Sequence, residues 1–528
     1  MARILVSDKL DKQGLEILQA APGLEVDNNP GLPADELKKI IGNYDGLVIR
    51  SGTKVTADLL EAAHALKIVG RAGIGVDNVD VEAASKRGVI VANTPGGNNV
   101  TTGEHAISMM LACARDIPQA NATLRAGQWK RNDFMGVEIT GKTIGVIGLG
   151  NIGAIVADRA KGLRMNVVGY DPFVTAEAAA RLDIELVTLD EMYARADFIS
   201  IHTPLTNDTR GLIGEKSIAK MKKGVRIVNC ARGGIIDEAA LLAALDSGHV
   251  GGAALDVFAA EPPAKDDPLV AHPKVVATPH LGASTGEAQL NVAIAVAEQI
   301  RDFFTDGTIR NAINVPSLSA EAAGAVAPYV LLGEKLGSLH AQLAGCAPSE
   351  IVIEYNGDVA DLDIRPVNAA VLKGLLSSVL DVPLNDVNAP FLAKDRGVKI
   401  VEVKNRDTKT FTSSIAVRFK RDKTSRLIEG AVFGGRIVRL VRFDDFFLEA
   451  VPEGNILILQ NRDVPGVVGR LGNFLAQHGV NIAGLSLGRT KAGGEAVAFY
   501  HVDSALDAAQ LEELRGLQDV TGAQMVKL

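Results

Sequence analysis

Short β-branched apolar runs recur along the first three-fifths of the chain, and between them apolar residues return every third or fourth position. Ile4–Ser7, Leu24–Val26, Leu47–Ile49, Ile68–Gly70 and Val89–Ala92 read as strands, with helices at Asp11–Ala20, Ala34–Ile41 and Ala57–Ala63. A longer helical stretch follows from about Thr101 to Arg125. The alternation then resumes: strands Phe198–His202, Arg226–Asn229, Gly252–Asp256 and Val275–Thr278, then a helix from about Ser284 to Thr305. Strands alternating with helices predict parallel sheets covered by helices on both faces. Asn314-Val315-Pro316-Ser317-Leu318 breaks the pattern and marks a boundary.

Beyond it the periodicity changes. A helical Ala/Gly/Leu-rich segment from Ala320 leads to strand Ile351–Tyr355 and helix Val367–Leu380. Strands at Lys399–Val403, Thr412–Phe419, Leu427–Val432 and Arg436–Arg442 follow. The last segment is more regular: strand Ile456–Gln460, helix Val467–His478, strands Val480–Leu487 and Glu495–Val502, helix Ala505–Leu514, strand Gln524–Leu528. That order is βαββαβ, the ferredoxin-like arrangement.

Composition narrows the function. At 528 residues, 47% hydrophobic and 22% charged, the chain is globular and too long for one core. A formal charge of −8 supplies no general attraction for nucleic acid or an anionic membrane, so an anionic substrate must be held by local arginines. The widely spaced Cys113, Cys230 and Cys346 offer neither a disulfide framework nor a metal-binding pair, which fits a reducing cytoplasm. The N-terminus does not read as a signal peptide, and no apolar run is long enough to span a bilayer.

The chemistry concentrates at Lys142–Asp171. A β-branched strand runs into Gly148-Leu149-Gly150-Asn151-Ile152-Gly153 and on into a helix, while a second strand ends at Asp171. Gly148 permits the turn, Gly150 lets backbone approach a pyrophosphate, and Gly153 lets helix and strand pack closely. The helix start offers free N–H groups to phosphate. Asp171 suits ribose hydroxyls and repels a 2′-phosphate, so the cofactor read here is NAD. Both parallel-sheet units are therefore flavodoxin- or Rossmann-like doubly wound domains. A nicotinamide site reducing a 2-oxo acid also needs a cation for the carboxylate, a proton donor, and a partner for that donor. Arg232 has the planar fork for the first role, His280 suits the second because histidine is the side-chain type that exchanges protons most readily near neutral pH, and Glu261 could supply the third.

Gly148–Gly153 with Asp171, Asn229–Gly234, Asp256-Val257-Phe258 leading to Glu261-Pro262, and Thr278–Ser284 together resemble the D-2-hydroxyacid dehydrogenase family. The resemblance runs from the first strand to about Pro316. It implies a discontinuous substrate domain (residues 1–98 plus 283–316) and a central NAD domain (99–282), with Arg232 as carboxylate anchor and His280 as proton carrier paired to Glu261. It also implies cofactor contacts at Thr203, Cys230, Ala231, Arg232, Asp256, His280, Gly282 and Ala283, beside Gly148, Gly150, Asn151, Ile152, Gly153 and Asp171. Arg50-Ser51-Gly52 and Arg71-Ala72-Gly73 are most similar to the phosphoglycerate-oxidising branch, which implies Arg50, Ser51, Gly52, Gly73, Arg131 and Arg232 at the substrate. Oxidation of 3-phospho-D-glycerate to 3-phosphooxypyruvate, opening L-serine synthesis, is the activity so implied. The longest forms of that branch carry an α+β intervening domain, here 317–452, which would bind an anion or aid assembly. The Lys- and Arg-rich stretch Lys394–Arg442 reads equally as a solvated face. Residues 453–528 resemble an ACT domain, implying an amino-acid effector, L-serine, at Asn461, Asp463 and Asn481 between two copies; Asp463 could equally cap the following helix. Family membership implies a homo-oligomer, a tetramer. Two alternatives stay open: a hydroxypyruvate, glyoxylate or 2-oxoglutarate reductase, and a non-catalytic NAD-sensing protein.

Overall fold

The computed structural model describes residues 1–316, 320–344, 348–377, 384–407, 410–421 and 424–528; Cys346 lies outside them. The first sheet holds β1 (Ala2–Val6), β2 (Leu24–Asn28), β3 (Gly46–Ile49), β4 (Ile68–Arg71) and β5 (Ile90–Asn93) in the order β2-β1-β3-β4-β5, all parallel. β3 and β5 are buried along their whole length, which is why they read as continuous apolar runs rather than alternating ones. Helices Lys12–Ala20 and Gly286–Asp306 cover one face through Leu18, Val292, Val296 and Ile300. Helices Ala34–Ile40, Ala57–Ala62 and Val81–Lys86 cover the other.

The second sheet holds β6 (Thr143–Ile147), β7 (Asn166–Tyr170), β8 (Glu185–Leu186), β9 (Phe198–Ile201), β10 (Val225–Asn229), β11 (Val250–Leu255) and β12 (Val275–Ala277). Its order is β12-β11-β10-β9-β6-β7-β8, again all parallel. The strand order reverses between β6 and β9, the place where doubly wound sheets open a crevice beyond their carboxyl ends. Helices Asn99–Ala114 and Asn151–Gly162 pack side by side over this sheet.

The third sheet, β13 (Glu350–Gly357), β14 (Lys399–Asn405), β15 (Ser413–Arg421), β16 (Thr424–Phe433), β17 (Ile437–Phe443) and β18 (Phe446–Ala450), runs β14-β13-β15-β16-β17-β18. Only its β13–β14 pair is parallel. The fourth, β19 (Asn455–Arg462), β20 (Ile482–Arg489), β21 (Glu495–Val502) and β22 (Val520–Lys527), is antiparallel in the order β20-β21-β19-β22, with helices Val467–Gln477 and Ala508–Arg515. This is the expected βαββαβ module. The two sheets share a core: Ile456, Ile458, Val497, Phe499 and Val526 join Leu332, Leu336, Ile353 and Phe443.

Several elements differ from expectation. The single helix expected over Thr101–Arg125 is two, Asn99–Ala114 and Ile117–Arg125, because Asp116 takes a left-handed conformation (φ 49°). Val81–Lys86 and β18 had no apolar period long enough to announce them. The helix forms because the Asp80 carboxylate accepts the Ala83 N–H (2.9 Å), and β18 is folded back on β17 by the Asp444-Asp445 turn, with Asp444 at φ 50°. The helix read as Val367–Leu380 is described as Arg365–Leu376; its last positions, 378–380, lie outside the described residues.

Between the second and third sheets the chain runs back along the first. Asn93 N–H donates to the Asn311 carbonyl (3.2 Å), Ile313 N–H to that of Val91 (2.7 Å), and Ala312 bridges to Ala92. The Asn314 amide accepts from Val91 N–H (2.9 Å) and donates to Ser85 Oγ and the Val89 carbonyl.

Candidate active site

The glycine turn after β6 has the geometry its spacing predicts. Gly148 sits at φ 90°, and a Cβ there would lie 2.6 Å from the His202 carbonyl oxygen; at Gly153 it would lie 1.9 Å from that of Gly148. Gly150, facing open space, starts helix Asn151–Gly162, and no side chain caps it. The first N–H groups of that helix, at Asn151 and Ile152, are therefore free for an anion. Asp171, at the end of β7, accepts the N–H of Leu149 (2.9 Å) and of Phe173 (2.8 Å), so it also holds the turn in place. Thr203, beyond β9, carries a buried hydroxyl with no hydrogen-bond partner among the described residues. An uncapped helix start and an orphaned hydroxyl at the sheet's reversal point fit a bound dinucleotide.

Past β10, β11 and β12 the remaining clusters meet. His280 stands at φ 54° with its ring exposed, and its Nδ1 lies 2.8 Å from Glu261 Oε2. The other oxygen of Glu261 accepts the Phe258 N–H (3.1 Å), which fixes the carboxylate. The Asp256 side chain, expected among the cofactor contacts, is instead fully buried. It accepts from Thr278 Oγ1 (2.6 Å), Leu281 N–H (2.7 Å) and Gly282 N–H (2.8 Å), and His105 Nε2 lies 3.2 Å away. Burial alone would raise its pKa, but these donors outweigh it and hold the carboxyl below its ordinary value. Its work is therefore to shape the loop that presents His280. Cys230 lies within 4.8 Å of the His105 and Asp256 ligand atoms; burial raises its thiol pKa, so it stays protonated. The Ala283 carbonyl accepts from Gln289 (2.8 Å).

Asn229 shapes the turn that carries Arg232, accepting the Ala231 N–H (3.0 Å) and donating to the Arg232 carbonyl (2.9 Å). The guanidinium then reaches the other lobe: Nε donates to Asp77 Oδ2 (2.9 Å), and Nη1 to the Ala231 carbonyl (2.7 Å). Gly75 leaves room for this pair, since a Cβ there would sit 2.0 Å from Arg232 Nη2 and displace the guanidinium. Arg71, at the end of β4, joins this group. Its guanidinium is largely buried, with Nε unpartnered among the described residues, and burial, then repulsion from Arg232 and Arg50 set against Asp77 and Asp8, brings its pKa down to about 10. Arg50 is held by Asp8, which accepts its N–H and that of Thr53, and it donates to the Lys9 carbonyl (3.1 Å). Ser51 and Gly52 are exposed beside it, whereas the Gly73 N–H is already bonded to Thr94 Oγ1 (2.7 Å). Arg131 lies on an exposed turn beside Trp129 and Phe134. Arg71 was read only as part of the strand-end motif Arg71-Ala72-Gly73, and Arg71, Asp77 and His105 were given no role of their own from sequence. Arg71 had the same strand-end signal as Arg50; the other two act through contacts between distant segments.

Three family models match the chain: the NAD-binding domain of D-isomer-specific 2-hydroxyacid dehydrogenases at residues 107–282, the D-3-phosphoglycerate dehydrogenase intervening domain at 325–444, and the ACT domain at 455–518. The D-3-phosphoglycerate dehydrogenase of Bacillus subtilis (strain 168) is 41% identical over 529 residues, covering 100% of both chains. That of Methanocaldococcus jannaschii is 42% identical, again over 100% of both. The chain belongs to the D-3-phosphoglycerate dehydrogenase family. A glyoxylate reductase from Paecilomyes thermophila, of known structure, is 30% identical with a TM-score of 0.55, covering 59% of this chain and 98% of its own.

The D-3-phosphoglycerate dehydrogenase family's ACT module places the expected effector residues unevenly. Asp463 does not cap helix Val467–Gln477, whose N-cap is Gly466; it accepts from Arg489 Nη1 (3.0 Å) and Gly493 N–H (3.1 Å), and these two donors hold its pKa down. Asn481 is exposed and donates to Asp503 (2.9 Å). Asn461 is buried and donates to the Arg462 carbonyl (2.7 Å), so it is not presented to an effector. The basic residues of the intervening sheet are mostly paired: Lys399 and Lys420 with Glu350, Arg418 with Glu354, Arg439 with Glu449. That is a solvated, ion-paired face. Among the described residues no helix is long and apolar enough to cross a membrane.

Proposed function

We propose that the chain oxidises 3-phospho-D-glycerate to 3-phosphooxypyruvate, with Arg232 as carboxylate anchor, His280 as proton carrier and Glu261 as its partner. The observation that carries this reading is the meeting of the Glu261–His280 pair with the Arg50, Arg71 and Arg232 group at the carboxyl ends of two sheets. When bound, NAD supplies the hydride acceptor. Gly148, Gly150, Gly153, Thr203 and the N–H groups of Asn151 and Ile152 line its place, with Asp171 near the ribose. Neutral His280 takes the proton of the C2 hydroxyl at Nε2, since Nδ1 faces Glu261, and the carboxylate stabilises the imidazolium that forms. Arg232 meets the substrate carboxylate, while Arg50 and Arg71 supply cations for the phosphate.

The test is NADH oxidation with 3-phosphooxypyruvate against unphosphorylated hydroxypyruvate. A strong preference for the phosphorylated acid is expected; equal or reversed preference would make the enzyme a general 2-hydroxyacid reductase. His280→Ala should cost about a hundredfold or more in either direction. Full activity in that variant would remove His280 from the role of proton carrier, whereas a wild type that binds NADH but turns over neither acid would be a protein that binds NAD without this chemistry.

A homo-oligomer, a tetramer in a reducing cytoplasm, is the assembly we propose. Ile117, Leu124, Trp129 and Met135 are exposed on one region beside Arg131, and Cys113 and Cys230 are free thiols. Asp463 bonds to Gly493, just before β21, and Asn481 to Asp503, just after it, so the two stand at opposite ends of that strand. One chain does not close them around a single L-serine, whereas two modules packed head to tail would.

A further inference from the structure

The loop Thr278–Gly282 that carries His280 is held from beneath by one helix. Thr102 Oγ1 donates to the Gly282 carbonyl (2.9 Å), and His105, three residues along helix Asn99–Ala114 and so on the same side, lies 3.3 Å from Thr278 Oγ1 and 3.2 Å from Asp256 Oδ1. Asp256 in turn grips the loop through Leu281 and Gly282, while its own carbonyl accepts the His280 N–H (2.9 Å). This grip keeps His280 at a left-handed φ that a histidine rarely adopts.

We propose that His105 is a positioning residue for His280, acting through the buried Asp256 carboxylate. The inference rests on the reading of His280 as proton carrier. Asp256 is fully buried and ionised, and the imidazole is the only ring among its donors; the others are the Thr278 hydroxyl and two backbone N–H groups. Whether it bonds as a neutral N–H or pairs as an imidazolium, His105 lowers the energy of a charge that has no water around it. Without it, Asp256 would turn towards another donor, and the backbone of residues 280–282 would move with it. His105 touches neither the arginine group nor the glycine turn, so binding should be spared while chemistry suffers.

Full-length His105→Met and His105→Gln variants test this, with NADH binding followed by fluorescence and kcat and KM measured for the 2-hydroxy acid. His105→Met should lose roughly tenfold or more in kcat, since small displacements of a reacting group cost that much, with KM and NADH affinity within about twofold. His105→Gln, whose amide N–H still reaches the carboxylate, should recover most of the loss. Wild-type kcat in His105→Met overturns the proposal, and so does an equal loss in both variants. If His105→Met fails to fold, Thr278→Val, which removes a second donor, is combined with His105→Gln: kcat losses that are not independent support a shared action on Asp256, and strictly multiplicative losses overturn it. Should His280→Ala keep its activity, the reading of His280 falls instead, whatever the His105 variants do.

Discussion

Arg71 carries its positive charge where little solvent reaches it, close to two other arginines and with its Nε unpartnered. A buried cation in that position is stabilised when a doubly charged group arrives, and the benefit is specific to the phosphate end of the substrate. Arg71→Met should therefore lower kcat/KM for 3-phosphooxypyruvate roughly tenfold or more while changing that for hydroxypyruvate little. Equal losses on both acids would show that Arg71 supports the lobe rather than the phosphate. At this scale the sequence was legible where a residue stands in a motif, as Arg232, Glu261 and His280 do. It was silent on Asp77 and His105, because their meaning lies in partners 155 and 173 positions away, Arg232 and Thr278. Arg131 was legible only as a cation, and it lies on an exposed turn beside Trp129.

Among the elements, helix Ala320–Ala344 shows how burial sets an acid limit. Its His340 is buried against the third sheet, with Nε2 2.8 Å from the Val417 carbonyl. Burial disfavours the charged ring and brings its pKa down to about 4. An unfolded chain takes up the proton near 6.5, so the folded state is fully stable above that value and loses stability as pH falls towards 4. The loss over that window is about 3 kcal/mol. His340→Gln should flatten the fall, read as the thermal midpoint between pH 7 and pH 4; an unchanged slope would place the acid sensitivity elsewhere. The elements themselves were largely legible, since strands buried on both faces announce themselves as unbroken apolar runs. What escaped were pieces made by local chemistry: the Asp80-capped helix, the Asp444 turn that creates β18, and the break at Asp116.

For the whole molecule, the two parallel sheets followed from the alternation of periods, while the order of strands within them was not read from it. The joining of the third and fourth sheets into one core was not legible either, because both faces of β19 and β21 are apolar and a partner copy could equally have covered one of them. Millimolar L-serine should lower activity of the intact protein if the ACT module senses it, and Asn314→Ala, which removes the linker's hold on Val89 and Val91, should weaken that response while leaving uninhibited kcat unchanged. Inhibition that survives the substitution undiminished would mean the signal travels by another route. The linker bonds, together with the Asn385 amide donating to the Gly88 carbonyl (2.8 Å), all land on β5 or on the helix and turn that lead into it. The catalytic cleft is a pair of jaws, one carrying the cofactor and the other the arginines at β3 and β4. A regulatory arm fastened this way would, among the described residues, pull on the lobe that carries Arg50 and Arg71, so an effector it senses is expected to register as a change in KM for the 2-hydroxy acid before any change in NADH affinity.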